Sequence, residues 1–429
     1  MAHGWNFLCP EDKDSIFHEV LQSDALCKGP FHLEIDPVDR CNARCYFCTT
    51  THMQKGDVLP FQRIEHLFEQ STRGGLRSVR LSGGGESLLH PQFTEVIDLI
   101  AAHHVHIDRV TTNGIALRGS IIEALSTVVP AYMEISLNFS NATRYAQSMG
   151  VSQKMFHQVC DNIVNYYTAL REKGQRGKCE IHTQFFITRE TLDDLPEMFE
   201  LAERLRVTAM TIRGLNERPE SERLTEDERR RLIRNLTPLA HEYKDRYWIM
   251  FSLEMEGLGK EAQELSNAIH AHHSETLSSA APFDETQNYT FCLMPWYSLT
   301  VLGSGLVYPC CMLVSCPQLT PLGNINSQSV SEMWNGSAFA RYRNEIRRSM
   351  LLDGPVPMWG RLCKHTAPLC WSGGACCLAR DLADAEDFIR LKKHIQQLRS
   401  SVRGRATRFF YGTMRKGANA LRRMRRQDR

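Results

Sequence analysis

Six short β-rich runs, each followed by a turn and a helical stretch, constrain this chain most. They lie at residues 31–35, 78–81, 107–111, 132–137, 181–187 and 209–212. Helical periodicity fills 61–70, 93–103, 121–127, 153–172 and 195–205. Strands alternating with such helices pair in parallel, because each helix carries the chain back across one face of the sheet. Six units are too few to close an eight-stranded barrel. An open partial barrel or a doubly wound sheet fits. The expected fold is α/β, a partial (β/α)6 barrel with a small C-terminal cysteine-rich domain.

The flanking segments divide the chain further. Residues 1–30 read as a short helical leader and 31–215 as the core. A bridge at 216–288 holds a charged helix (217–246), a strand-like run (247–253), a helix (258–273) and a polar linker. Residues 289–380 are rich in Cys, Gly, Pro and Trp and poor in long helical periodicity. Such a segment builds little core of its own and reads as a metal-stapled unit. Residues 381–429 read as a helix that turns basic.

Charge is unevenly spread. Residues 391–429 hold 13 Lys and Arg against one acid, Asp428, leaving 38 basic and 48 acidic residues elsewhere. The body is therefore acidic and the tail basic. In the tail, Phe410, Met414, Leu421 and Met424 share a helical face, with Arg415, Lys416, Arg422 and Arg426 elsewhere. That pattern suits an anionic membrane or polyanion, and equally a solvated terminal helix. No aromatic-interleaved basic sheet points to specific nucleic-acid recognition. No apolar run reaches the roughly 18 residues of a membrane helix. The start lacks a basic region followed by an apolar one, so the expected location is cytoplasmic.

Fifteen cysteines exceed what packing requires, and in a reducing compartment clustered cysteines point to metal. Cys41, Cys45 and Cys48 are spaced C-x3-C-x2-C at the C-terminal end of the first β-rich run, the rim where β/α barrels collect catalytic groups. Iron–sulfur clusters are normally held by four thiolates, so three suggest a cubane with one iron left open to a small molecule. A closed zinc site wants a fourth ligand, for which His52 is a candidate.

Downstream signals agree in order. Ser82-Gly-Gly-Gly-Glu86 follows the second run, Thr111-Thr-Asn-Gly114 the third, and Ser136 and Asn138 end the fourth. With the cysteine motif, residues 31–215 resemble the radical S-adenosylmethionine (SAM) superfamily. The resemblance implies that Cys41, Cys45 and Cys48 bind a 4Fe-4S cluster whose open iron chelates the methionine end of SAM. Reductive cleavage then yields a 5′-deoxyadenosyl radical that takes a hydrogen atom from substrate. It implies SAM contacts from Phe47, Gly84, Gly85, Glu86, Asn113, Ser136 and Asn138, and a flavodoxin- or ferredoxin-type reductant. Phe47 also reads as packing beneath the loop, and the glycines as a tight turn.

Cys292, Gly305 and Cys310 are spaced C-x12-G-x4-C. With Leu322-Gly-Asn-Ile325, Glu332-Met-Trp-Asn335, Arg341 and Arg343, residues 290–380 resemble the SPASM/twitch auxiliary-cluster domain. The later spacing departs from the full pattern: Cys363-x6-Cys370-x5-Cys376, with no cysteine after Cys377. One auxiliary 4Fe-4S cluster is expected on Cys292, Cys310, Cys363 and Cys370, with Cys376 competing, and a second stays open. Cys311, Cys316 and Cys377 are candidate hydrogen donors to a substrate radical, or extra ligands or buried small side chains. His103, His104, His106, His270, His272 and His273 read as polar or helix-end residues, and Glu254 and Glu256 as solvated acids.

The expected activity is hydrogen-atom abstraction from a sugar- or aminocyclitol-type metabolite or a peptide, ending in epimerisation, oxidation or dehydration. The alternatives are a ribosomal-peptide maturase and a non-catalytic iron–sulfur carrier or scaffold. The 40 residues before Cys41 are too few for a peptide-leader domain or a cobalamin domain.

Overall fold

The computed structural model describes residues 7–21, 27–214 apart from 49, 52 and 53, 223–252 apart from 244 and 247, 265, 293–314 and 320–352. Its centre is one open sheet of ten strands in the order β10-β9-β8-β1-β2-β3-β4-β5-β6-β7. The strands are β1 His32–Ile35, β2 Ser78–Leu81, β3 His106–Thr112, β4 Tyr132–Asn138, β5 Glu180–Ile187, β6 Ala209–Gly214, β7 Trp248–Ser252, β8 Ser298–Val301, β9 Leu306–Tyr308 and β10 Gly323–Asn324. All pairs from β8 through β1 to β7 are parallel. β9 and β10 add an antiparallel edge. The α/β partial barrel expected from sequence is therefore present.

Period-two alternation sorts the strand side chains between two faces. Leu33, Ile35, Val79, Leu81, Met133, Ile135, Met210 and Ile212 enter the hydrophobic core. The crossover helices meet them there. α1 is Pro10–Leu21, α2 Phe61–Arg73, α3 Phe93–Ala102, α4 Ser120–Thr127, α5 Ala142–Met149, α6 Gln153–Glu172, α7 Leu195–Arg204 and α8 Glu226–Tyr243. α6 buries Phe156, Val159, Ile163, Tyr166 and Leu170 along one stripe. Within that stripe, buried Asn162 donates to the Gly114 carbonyl at 2.8 Å and fixes the loop after β3. The residues alternating with the apolar set, among them Glu34, Arg80, Glu134, Gln184 and Arg213, line a cavity instead.

The sheet extends further than the β-rich runs suggest. The strand-like run of the bridge becomes β7 and pairs with β6. β8, from the cysteine-rich segment, pairs in parallel with β1. That segment also contains the 16-residue helix Ser337–Leu352, contrary to the expectation of little helix there. Its Arg-rich sequence hid the inward positions. Arg343 is buried, 4.3 Å from the Trp334 ring, and donates to the Pro295 carbonyl at 2.8 Å. Trp334 donates to the Lys28 carbonyl at 3.0 Å, and Asn335 accepts from the Cys27 amide at 2.9 Å. Arg347 reaches the Val20 and Glu19 carbonyls of α1 at 2.7 and 2.9 Å. Gly305 makes the β8–β9 turn at φ +82°, where a Cβ would lie 2.4 Å from Asn326 Nδ2. The expected helices at 258–273, Leu265 apart, and at 381–429 lie outside the described residues. Among the described residues, no helix is long and apolar enough to cross a membrane.

Leu299 on β8 is fully buried. Leu299→Ala is expected to lower stability by about 2–5 kcal/mol, read from urea unfolding.

Candidate active site

The three motif cysteines sit in a loop pinned from three sides. The C-terminal turn of α5 holds one side: the Arg44 amide donates to the Met149 carbonyl at 2.8 Å and the Tyr46 amide to Ser148 at 3.1 Å. The loop after β3 holds another. Asn113 Nδ2 lies 2.6 Å from Asn42 Oδ1 and 3.5 Å from Cys41 Sγ. The glycine turn after β2 holds the third. Thr50 Oγ1 and Gln54 Nε2 both donate to the Gly84 carbonyl at 3.0 Å, and Thr50 Oγ1 lies 3.3 Å from Cys48 Sγ. Cys45 Sγ contacts Met149 Sδ at 3.3 Å. Burial pushes the Cys45 thiol up to about 12 and raises Cys41, so binding iron must displace those protons.

All three cysteines line a cavity of about 410 Å³ at the C-terminal end of the parallel strands. Phe47, Gly84, Gly85, Glu86, Asn113, Ser136 and Asn138 line it too, so the fold gathers every SAM-contact candidate at one opening. Several are also engaged with the protein. Glu86, 2% exposed, accepts from Thr112 Oγ1 and the Asn113 amide, both at 2.7 Å, and so joins the turns after β2 and β3. Gly85 packs under the cysteine loop: a Cβ there would lie 2.3 Å from the Val38 carbonyl and 2.5 Å from that of Arg40. Phe47 packs at a tilt against Phe186, with ring centroids 4.6 Å apart. Asn138 ends β4 at φ 65° and donates to Met149 Sδ at 3.2 Å.

The thiols, the open rim and the cradle behind them fit a cluster with an exchangeable iron. Among the described residues, no three His, Cys, Asp or Glu side chains converge on the position of one metal ion. A cubane spreads its ligands over separate irons. Cys310 is half-buried against the core and Cys311 lines the cavity. Cys292, Cys316, Cys363, Cys370, Cys376 and Cys377 lie outside the described residues, as do His52, His270, His272, His273, Glu254 and Glu256.

The cavity also has a floor that the motifs do not announce: Glu34, Arg80 and Glu134, with Asp36, Gln184 and Arg213 around them. The available signal was a charged residue flanked by apolar ones inside a short β-rich run, as in His-Leu-Glu34-Ile and Ser-Val-Arg80-Leu. Asp36 is perturbed upward. Burial, then Asp39 nearby, pushes its carboxyl up to about 8, although Oδ2 accepts from the Gly84 amide at 2.5 Å.

Residues 35–208 match the radical SAM superfamily, and residues 292–356 match the SPASM iron–sulfur cluster-binding domain. The chain therefore carries a radical SAM domain and a SPASM domain. The superfamily works with a 4Fe-4S cluster and SAM, and SPASM domains bind auxiliary iron–sulfur clusters. A GTP 3′,8-cyclase of Synechocystis is 29% identical over 188 residues, 43% of this chain and 53% of that protein. A cofactor-modifying protein for the tungsten-containing aldehyde ferredoxin oxidoreductase of Pyrococcus furiosus is 20% identical over 73% of this chain and 83% of its own. The chain spans about half the length of the cyclase. Among solved structures, Streptococcus suis SuiB bound to precursor peptide SuiA shares the fold, with a TM-score of 0.52 and 16% identity over 74% of this chain and 67% of SuiB.

Two outcomes are expected. Gly85→Ala should displace the cysteine loop and cut iron content after anaerobic reconstitution, read by iron and sulfide analysis against a circular dichroism check of folding. Asp36 stays protonated in the fold where the unfolded chain ionises. Its contribution to stability is therefore complete below its ordinary value of 3.8 and is lost as pH rises to about 8. Asp36→Asn should flatten that decline in urea midpoints measured across the range.

Proposed function

We propose that this chain is a radical SAM enzyme that abstracts a hydrogen atom from a polar substrate bound in the cavity between the cysteine loop and the β8–β9 segment. The observation that carries the reading is the composition of that one cavity. Its rim holds three cysteines, a glycine turn and Glu86, and its floor holds ionised side chains away from solvent. An electron carrier or scaffold needs no such chamber.

In this reading Cys41, Cys45 and Cys48 hold the 4Fe-4S cluster. Glu86, Asn113, Ser136, Asn138 and Phe47 border SAM, and the SPASM cysteines hold one auxiliary cluster. When bound, cluster and SAM supply one-electron cleavage of a sulfonium and a carbon radical able to take hydrogen. The chain's own side chains position the reactants and exclude water. Phe47 and Phe186 close one flank of the chamber with apolar surface. Met149 and Asn113 keep the cysteine loop in place. Substrate, whether a sugar- or aminocyclitol-type metabolite or a peptide such as the one SuiB binds, occupies the floor.

Cys311 favours an outcome in which hydrogen is returned. It lines the cavity and its thiol hydrogen-bonds to Glu34. A substrate radical that takes the S–H hydrogen gains an inverted C–H bond and leaves a thiyl, which one electron from a flavodoxin- or ferredoxin-type reductant and one proton restore.

The test is anaerobic reconstitution of the wild type and of a Cys41/Cys45/Cys48→Ala variant, followed by dithionite and SAM. About eight irons per chain and 5′-deoxyadenosine from the wild type alone are expected for one SAM-site cluster and one auxiliary cluster. Zinc in place of iron, or stable clusters without nucleoside under any reductant, would overturn the reading.

A further inference from the structure

Gln54 reaches from the far end of the cysteine loop to a motif sulfur. Its Nε2 lies 3.8 Å from Cys48 Sγ and donates to the Gly84 carbonyl at 3.0 Å. A side-chain amide nitrogen carries two hydrogens, so one serves the carbonyl and the other the sulfur. Asn113 repeats the arrangement at Cys41, with Nδ2 2.6 Å from Asn42 Oδ1 and 3.5 Å from Cys41 Sγ. The Ala43 backbone amide donates to that same sulfur at 3.5 Å. Thr50 differs. Its hydroxyl has a single hydrogen, given to the Gly84 carbonyl at 3.0 Å, so its 3.3 Å approach to Cys48 Sγ offers a thiolate no hydrogen.

The backbone fixes where Gln54 reaches. Its amide donates to the Thr51 carbonyl at 3.2 Å, and Thr51 Oγ1 donates to the Cys48 carbonyl at 3.2 Å. Four residues on, Val58 forms an antiparallel bridge to Val38. The Gln54 side chain is half-buried and lines the cavity. The cations of that lining, Arg80 and Arg213, belong to the floor, so at the rim N–H dipoles meet the negative charge of the thiolates.

We propose that Gln54 is a positioning residue of the SAM site that acts through Cys48, its N–H raising the reduction potential of the cluster the three cysteines hold. The assignment rests on the function proposed above and adds a control on how readily that site takes its electron. One-electron reduction makes a cluster and its ligand sulfurs more negative. An N–H dipole aimed at such a sulfur favours the reduced state, and more strongly where water is scarce. A Gln54 that merely braced the loop would serve the Gly84 carbonyl alone, a task it shares with Thr50. Comparing the two residues therefore separates tuning from bracing.

The full chain is reconstituted anaerobically as wild type, Gln54→Leu and Thr50→Val. Each is titrated with dithionite in the presence of redox mediators, and electron paramagnetic resonance reads the reduced clusters. The SAM-site signal is the one that changes when SAM is added to a parallel sample. Gln54→Leu is expected to keep its iron and to shift the midpoint of that signal to more negative potential. Thr50→Val is expected to leave the midpoint at the wild-type value. An unmoved or more positive midpoint in Gln54→Leu, or an equal shift in Thr50→Val, overturns the assignment. If Gln54→Leu loses iron, Gln54→Glu decides: the side chain keeps its length, its carboxylate offers no hydrogen, and the midpoint must again move negative. Loss of iron in both Gln54 variants also overturns the assignment, because the side chain then braces the loop rather than tunes the cluster. Failure of the proposed function looks different: the wild type itself shows no signal that responds to SAM and makes no 5′-deoxyadenosine.

Discussion

β1 is hydrogen-bonded in parallel on both flanks, to β2 and to β8, and the site depends on that double pairing. The contact from Glu34 to Thr300 spans 266 positions of sequence. It makes one cavity wall from two distant segments. The chain leaves β1 directly into the cysteine loop, so whatever sets the height of β1 in the sheet sets the height of the three thiols. Glu34 on that strand and Asp36 just beyond its end both line the cavity, two residues apart, and so link the floor to the rim.

That arrangement stacks two chemistries along the strand direction. Towards the C-terminal ends lie sulfur, backbone glycine and amide side chains, suited to a cluster and an amino-acid-like ligand. One period lower lie paired carboxylates and guanidinium groups, suited to a polar ligand. In the proposed function, a substrate held below and a radical generated above would meet within one chamber. Apolar residues face outward to the helices, which leaves the interior of the partial barrel free to be polar.

Much of this could be read from the sequence, for physical reasons specific to each element. The six β-rich runs appear because β-branched and apolar residues cluster between helices of regular period. The cysteine motif, the glycine turn and Thr111-Thr-Asn-Gly114 are local patterns and fall where expected, at strand C-termini. Partners distant in sequence could not be read. Nothing near Ser298–Val301 says that it will lie against β1. Helix Ser337–Leu352 escaped because Arg343 and Arg347 point inward, to backbone carbonyls and aromatic rings, and break the usual correspondence of charge with surface. Gly85 was recognised, but its reason was not: the protein's own Val38 and Arg40 carbonyls fill the space a side chain would take. The ionic floor was hidden because a single charge in a four-residue strand looks like an exposed position.

Because β8 completes β1, the SAM-binding half and the cysteine-rich half are not separable modules. Cutting between them would leave β1 as a bare strand edge, with unpaired amides beside a cluster loop, a surface prone to pair with other chains. Recombination that replaced the auxiliary domain would have to deliver a strand of matching register into that gap. The auxiliary domain of such a chain therefore changes by variation around a fixed strand rather than by exchange as a block.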